Sequence, residues 1–338
     1  MNKTGFVAIG QAGGNIGQLL EKKGYPVMYL NTSTEDLDTI KDGKYKHHIQ
    51  NGEGCNKDRN KAKQLIVDDY DAVADMIDNT LKTEFIFVIF SAGGGTGSGA
   101  GPMLVDMLAS DGRSVGIITV IPSAQESIKT QINAYECFKE LVEIEDSACC
   151  FILDNEKGRD RLAINTIFVN ALNAFLQIPD KYHSKKGNID NAEIIESLKA
   201  HGMAYVCQYQ DTDSAKLVAF DRNIYAPMQS DKVVKYITCA AHESLDIKDI
   251  TTVTGEPWDT FRAYTPKESV MLLSGLSYPL DRLDKLQTQV NDNRDSIIKN
   301  LSGGKGTTLS GSFDFLEPDK PVRKAEKVSR NDIFKKYL

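Results

Sequence analysis

The 338-residue sequence predicts an α/β protein: a doubly wound, mostly parallel sheet in its first half, then a central helix and a smaller mixed α/β second domain. Three observations carry this. Short apolar runs alternate with helical periodicity from residue 5 to about residue 177. Two of those runs end directly in glycine-rich turns that open helices. After a polar loop at 180–190 the regular alternation gives way to a looser mixture. Strands that alternate with helices are joined by right-handed crossovers, which leaves a parallel sheet with helices on both faces.

In chain order, residues 5–10 read as a buried strand, followed by a helix to about 23 and a short strand at 27–30. Residues 57–80 place Ile66, Val67, Tyr70, Val73, Ala74 and Ile77 at three- and four-residue spacings, one apolar helical face. A strand at 85–91, a helix at 98–109, a strand at 115–121, a helix at 128–143 and a strand at 148–153 complete a first domain, 1–159. The helix at 160–177 ends near Pro179 and forms a central segment, 160–185. In the second domain, 186–316, the pattern predicts a helix at 191–200, strands at 203–209 and 215–220, and a helix near 230–243. A strand at 269–276, a helix near 281–291 and a strand at 308–315 follow, with a tail at 317–338.

The longest apolar runs, such as 85–90, are far shorter than the ~20 residues a spanning helix needs. The opening MNKTGFVAIG lacks a signal-peptide pattern, so the expected location is the cytoplasm, with no membrane partner. The six cysteines include no CxxC and read as reduced structural thiols, while His47 and His48, between Gly43 and Gly52, read as a solvated loop. The net charge is −7, yet residues 319–338 are basic through Lys320, Arg323, Lys324, Lys327, Arg330, Lys335 and Lys336. An acidic body repels a phosphate backbone, so no direct sequence-specific DNA binding by the body is expected; the tail suits an acidic partner surface.

The strongest local feature is Gly93-Gly94-Gly95-Thr96-Gly97-Ser98-Gly99, between a strand and a helix. Glycines at this density predict positive φ and close approach of backbone to ligand, and the helix start supplies unpaired N–H groups for an anion. Thr96 and Ser98 add hydroxyls. A second turn, Gly10-Gln11-Ala12-Gly13-Gly14-Asn15-Ile16-Gly17, follows the first strand; glycines at Ala12 and Asn15 would be needed for a dinucleotide fingerprint. No Walker loop is present, so a bound nucleotide is expected to rest on backbone N–H groups and Mg²⁺ without a phosphate-binding lysine. Asp190 and Glu193, three apart at a helix start, match a capping box.

Together and in this order, these motifs resemble the tubulin/FtsZ superfamily of filament-forming GTPases. Residues 93–99 look like its signature phosphate loop, and Gln11-Ala12 is closer to tubulin than to the glycine run of FtsZ. The resemblance implies GTP/GDP and Mg²⁺ as ligands. It assigns Gly10, Gln11, Ala12 and Asn15 to the first nucleotide loop, Asn31 to the second, and Gly93, Gly94, Gly95, Thr96, Gly97 and Ser98 to the phosphates. Gly52-Glu53-Gly54 with Lys57-Asp58 is similar to the loop that senses the γ-phosphate. Pro122 and Glu126 are spaced like the ribose loop, Asn155 like a guanine reader, and Asn165 like a second base contact. Asn188, Asp190 and Glu193 match the loop that completes hydrolysis on a neighbouring subunit. No metal ligand is assigned.

Within the superfamily, the shorter chain, the lack of a long linker with a terminal division peptide, and the basic tail resemble the plasmid- and phage-borne TubZ branch, which moves DNA in bacteria. That implies head-to-tail self-association and a DNA-bound adaptor on the tail. Three alternatives stand beside it. One is a cell-division GTPase like FtsZ, and another is a GTP-binding scaffold that does not hydrolyse. The third is a nicotinamide-dependent oxidoreductase, against which stand residues 93–99 and the absence of an acidic residue near position 31.

Overall fold

The computed structural model describes residues 3–157, 160–210, 224–266 and 268–302. The first half contains strands β1 (Thr4–Ile9), β2 (Val27–Asn31), β3 (Tyr45–His48), β4 (Phe85–Ser91), β5 (Ser114–Ile121) and β6 (Cys149–Asp154). Helices α1 (Gly10–Glu21), α2 (Thr34–Asp38), α3 (Arg59–Thr80), α4 (Thr96–Ser110) and α5 (Ile128–Leu141) connect them. Next come α6 (Arg161–Leu176), α7 (Ile178–Lys181), α8 (Asn191–Leu198), β7 (Gly202–Gln210) and β8 (Tyr236–Ala241). The last elements are α9 (Ile247–Thr254), β9 (Asp259–Tyr264), β10 (Glu268–Leu276) and α10 (Leu280–Ser302).

The described strands form one ten-stranded sheet, ordered β3-β2-β1-β4-β5-β6-β7-β10-β8-β9. From β3 through β7 every pair is parallel; β10 runs antiparallel to both β7 and β8, and β9 is parallel to β8. β1, β4 and β6 are buried along their whole length, which explains their unbroken apolar sequences: both faces of a parallel sheet are covered by helices. An aromatic row crosses the core, with Phe6 stacked on Phe87 at 5.7 Å and Phe151 edge-on to Phe168 at 5.3 Å, which seats α6 on the sheet.

The segment expected as a helix near 230–243 contains strand β8 instead. Its YITCAA run is buried on both faces between β10 and β9, so it lacks the alternation that separates a strand from a buried helix. His47 and His48 are likewise in edge strand β3 rather than a solvated loop. His47 Nε2 meets the buried Asp69 carboxylate at 2.5 Å, and His48 Nε2 lies 2.8 Å from the Gly52 carbonyl. Strand β9 and helices α2 and α9 are too short or too polar to have stood out in the pattern. The strands expected at 215–220 and 308–315, and the basic tail, lie outside the described residues.

The cysteines are free thiols, as expected, and all but Cys207 are buried. Burial pushes the Cys137 thiol up to about 12 and holds those of Cys149 and Cys150 far above the ordinary value.

A half-buried ionic cluster locks α3, α4 and α5 together. Arg59 Nη2 meets Glu140 Oε2 at 2.7 Å and the Ser98 carbonyl at 2.9 Å, and Lys63 Nζ meets Glu140 Oε1 at 2.6 Å. Glu140→Ala removes the carboxylate that both cations share and should lower stability by about 3–5 kcal/mol. Urea unfolding measures this, and a loss below about 1 kcal/mol would show that the cluster is solvated rather than structural.

Candidate functional site

Strand order reverses between β1 and β4: the chain leaves β1 toward β2 on one side and returns through β4 on the other. Helices α1 and α4 start at the carboxyl ends of these neighbouring strands, so their N-termini converge on a crevice at the switch point. Neither is capped by a side chain. Their N-cap residues are Ile9 and Gly95, whereas α3 and α5 are capped by Asp58 and Ser127. Unpaired N–H groups and two positive dipole ends are thus left at a cavity of about 510 Å³.

Of the sequence-predicted residues, Gly10, Gln11, Ala12, Asn31, Gly93, Gly94, Gly95, Thr96, Gly97 and Glu126 line this cavity. Gly10 takes φ +69°, a turn that lets the chain pass from β1 straight into α1. The expectation of positive φ in residues 93–99 is not met, since none of those glycines adopts it. They serve close approach instead. A Cβ on Gly95 would lie 2.8 Å from the Lys57 backbone, and one on Gly99 would lie 2.4 Å from the Arg59 carbonyl. Gly94 alone among them faces open space.

Hydroxyls and amides set the cavity walls. Thr96 Oγ1 lies 2.8 Å from Thr32 Oγ1, joining the start of α4 to the end of β2. Asn31 donates to Asp36 Oδ2 at 3.2 Å and accepts from the Ser33 amide at 3.2 Å, which fixes its side chain along the wall. The Ser98 hydroxyl is buried and donates to the Gly94 carbonyl, tightening the first turn of α4. On the opposite rim Glu126 Oε1 accepts from Asn155 Nδ2 at 3.2 Å and meets Arg161 at 3.0 Å. Asn155 stands behind Glu126 rather than lining the cavity. Pro122 is buried, and its carbonyl accepts from Arg282 Nη2 at 2.9 Å. Asn15 is exposed on α1 and Asn165 is buried on α6; neither lines the cavity.

Asn188, Asp190 and Glu193 lie elsewhere. Helix α6 starts at the cavity with Arg161 and runs 16 residues, about 24 Å. Near its far end, Asn173 Oδ1 accepts from the Tyr25 hydroxyl at 3.2 Å, beside the amino end of β2. The segment 184–193 follows beyond that point, with Gly187 against Arg262 and Tyr264 of β9. Asp190 caps α8 by accepting from the Glu193 amide at 2.9 Å, and Glu193 accepts from the Asp190 amide at 2.8 Å. This is the reciprocal capping box that the spacing implied. Asn188 Oδ1 accepts from the Ser184 amide at 2.6 Å.

Sequence reasoning missed Asp36, Thr130 and Arg161 as lining residues; it expected no Walker-type lysine but set Lys57 in the loop similar to a γ-phosphate sensor, and Lys57 lines the cavity. No local pattern marks Asp36, Thr130 or Arg161, because each reaches the site only through the packing of α2, α5 and α6. Among the described residues no group of three or more His, Cys, Asp or Glu side chains could hold a metal ion. No described helix is long and apolar enough to cross a membrane.

Residues 3–161 match the family model described as "Tubulin/FtsZ family, GTPase domain". The chain is 26% identical over 286 residues to the tubulin-like protein TubZ of Clostridium botulinum C phage, an alignment spanning 81% of this chain and 79% of that one. The crystal structure of the Clostridium botulinum phage c-st TubZ superposes with TM-score 0.79 at 24% identity, covering 87% of this chain and 99% of that one. A GTPγS-form protofilament of Bacillus thuringiensis serovar israelensis TubZ has the same fold, with TM-score 0.75 at 15% identity over 90% of this chain and 94% of that one. The family match takes in every residue that lines the cavity, and the fold likeness extends through most of the remaining chain: residues 3–161 are a GTPase domain of the tubulin/FtsZ family.

Proposed function

We propose that this protein binds GTP in the switch-point cavity, assembles head to tail into filaments, and hydrolyses GTP once a neighbouring subunit completes the site. The observation that carries this is the convergence of two uncapped helix N-termini on one crevice walled by both glycine-rich loops. Such a crevice suits a polyphosphate, part of whose charge the fixed helix dipoles offset. The phosphates would rest on the amides of Gly10, Gln11, Ala12 and residues 93–97, with the ribose toward Pro122 and Glu126. Asn155 and Asn165 would meet the base edge and Asn15 would support the first loop. Asn31 orders the wall between them.

Mg²⁺ is held largely by phosphate oxygens and water and needs few protein ligands. The cavity fits this, offering the Asp36 carboxylate and the Thr96 hydroxyl as oxygen donors. When bound, the ion would offset charge on the terminal phosphates.

The cavity carboxylates are already engaged, Glu126 by Arg161 and Asn155, and Asp36 by Asn31. Neither is positioned as a base for water. Asp190 and Glu193, with Asn188 beside them, lie beyond the far end of α6 and would act on the next subunit's nucleotide. A contact of one end on the other does not close and so yields open filaments. The TubZ relatives, one of them solved as a protofilament, support this reading. Movement of plasmid or phage DNA through an adaptor on the basic tail is the role that fits it best, in the bacterial cytoplasm. A GTP-binding scaffold is the second reading, favoured by the capping box, which accounts for both carboxylates within one chain.

Phosphate release and light scattering, recorded together over a protein concentration series, separate the two. Release per subunit should stay near zero and rise where scattering appears; scattering without release would leave the scaffold. Asp190→Asn and Glu193→Gln keep capping capacity while removing charge. Each should retain GTP binding and lower turnover by about 10²–10⁴-fold, giving persistent filaments. Normal turnover in both would remove these residues from the mechanism.

Gly95→Ala, whose Cβ collides with the Lys57 backbone, should abolish nucleotide binding and assembly together. Gly94→Ala has open space and should leave the melting temperature unchanged. Equilibrium binding and thermal melting of the pair test this.

A further inference from the structure

Helix α3 turns an acidic face to solvent. No lysine or arginine occurs between Lys63 and Lys82, and the interval holds five aspartates. Asp69 is buried against His47, whereas Asp68, Asp71, Asp75 and Asp78 are exposed, three, four and three residues apart, in one stripe along the helix. The placement is unfavourable for the helix alone. Like charges at these spacings repel, and the carboxyl half of a helix carries the negative dipole end. Compensation within the fold is partial. Arg113 forks onto Asp78 through Nη1 and Nη2 at 2.5 and 2.8 Å, Asp68 accepts from the neutral Gln64 amide at 3.0 Å, and Asp75 has no partner among the described residues.

A cationic segment of the same chain repeats that spacing. Lys320, Arg323, Lys327 and Arg330 are also three, four and three residues apart, in a tail that is basic while the chain as a whole is acidic. The order of intervals reads the same in both directions, so the match holds for either orientation of the segment. The tail has the length to reach the face. Helices α3, α4, α5 and α10 lie side by side, each packed on the next. At the roughly 8–10 Å between packed helices, the axis of α3 lies about 30 Å from that of α10. Residues 303–319 join the end of α10 to Lys320, and a linker of that length spans up to about 55 Å.

We propose that the basic tail, through Lys320, Arg323, Lys327 and Arg330, docks along the aspartate stripe of its own α3. Within the fold Arg113 already makes on Asp78 the contact that the tail makes on Asp68, Asp71 and Asp75. Each exposed pair is weak; the tether gives the set its effect by holding the cations at high effective concentration beside the stripe. The docked tail has its cations occupied, so α3 competes with any acidic partner for the same residues, and salt releases the tail. The contact goes beyond the GTP-binding reading and does not depend on it.

Two measurements on the full chain at low salt test this. Carbodiimide joins carboxylates to ammonium groups that touch them. Applied to a mixture of unlabelled and nitrogen-15-labelled protein and read by peptide mass spectrometry, it should link Asp68, Asp71 or Asp75 to Lys320 or Lys327, with both halves of each linked peptide carrying the same label. In the second measurement, Asp68→Asn, Asp71→Asn and Asp75→Asn are combined, which keeps side-chain size and removes the charge. Trypsin should then remove the tail about five- to tenfold faster than from wild-type protein, with rates scaled to those of a free peptide of residues 317–338 in the same buffer. Wild-type protein in about 0.5 M NaCl, where no substitution is involved, should lose its tail as fast as the variant. Equal rates for variant and wild type at low salt, or cross-links from the tail to other acidic surfaces instead of α3, would overturn the proposal. Linked peptides that mix the two labels would place the tail on a second copy and overturn it as well.

Discussion

The meeting of two helix N-termini at the β1–β4 switch point is the constraint on which the rest of the molecule depends. Two positive dipole ends placed side by side repel, and their free N–H groups lose water as the crevice forms. That arrangement is held from behind. Gly99 lets α3 press its Arg59 carbonyl against α4, Arg59 grips the Ser98 carbonyl, and Glu140 anchors Arg59 from α5. The glycines of residues 93–99 are thus mostly packing devices, and the electrostatic burden falls on helix ends and on the cations around them.

The polar wall is built on a similar economy of shared atoms. Glu126 serves Asn155, Arg161 and the Ser123 amide with one oxygen, while Asn133 spans two loops with one amide nitrogen. Such shared centres make the loops move as a unit, because shifting one partner leaves another unpaired.

Much of the first half was legible in the sequence, because a doubly wound sheet writes itself as apolar runs and glycine turns at regular intervals. β1, β4 and β6 with their loops stand where the pattern placed them. Legibility failed where burial removed the contrast a pattern needs. β8, covered on both faces, looks the same as a buried helix segment, and β3, at the sheet edge, is polar enough to pass for a loop. In the site, the contiguous motif at 93–97 and Gly10 could be read directly. Arg161 and Thr130 could not, because they depend on how distant helices pack around one crevice. The capping box at Asp190 and Glu193 was visible from spacing alone, yet spacing could not tell a cap from a catalytic pair.

The buried bridge between Arg282 and Asp154 has a mechanical meaning. Arg282 Nε meets Asp154 Oδ2 at 2.9 Å while its Nη2 holds the Pro122 carbonyl, so the start of α10 is pinned to the carboxyl ends of β5 and β6. The helix is 23 residues long and extends about 30 Å beyond this pin. A rotation of about 5° about Arg282 would sweep the far end through about 3 Å, a movement that its packing on α5 and its buried Leu283, Leu286 and Val290 oppose.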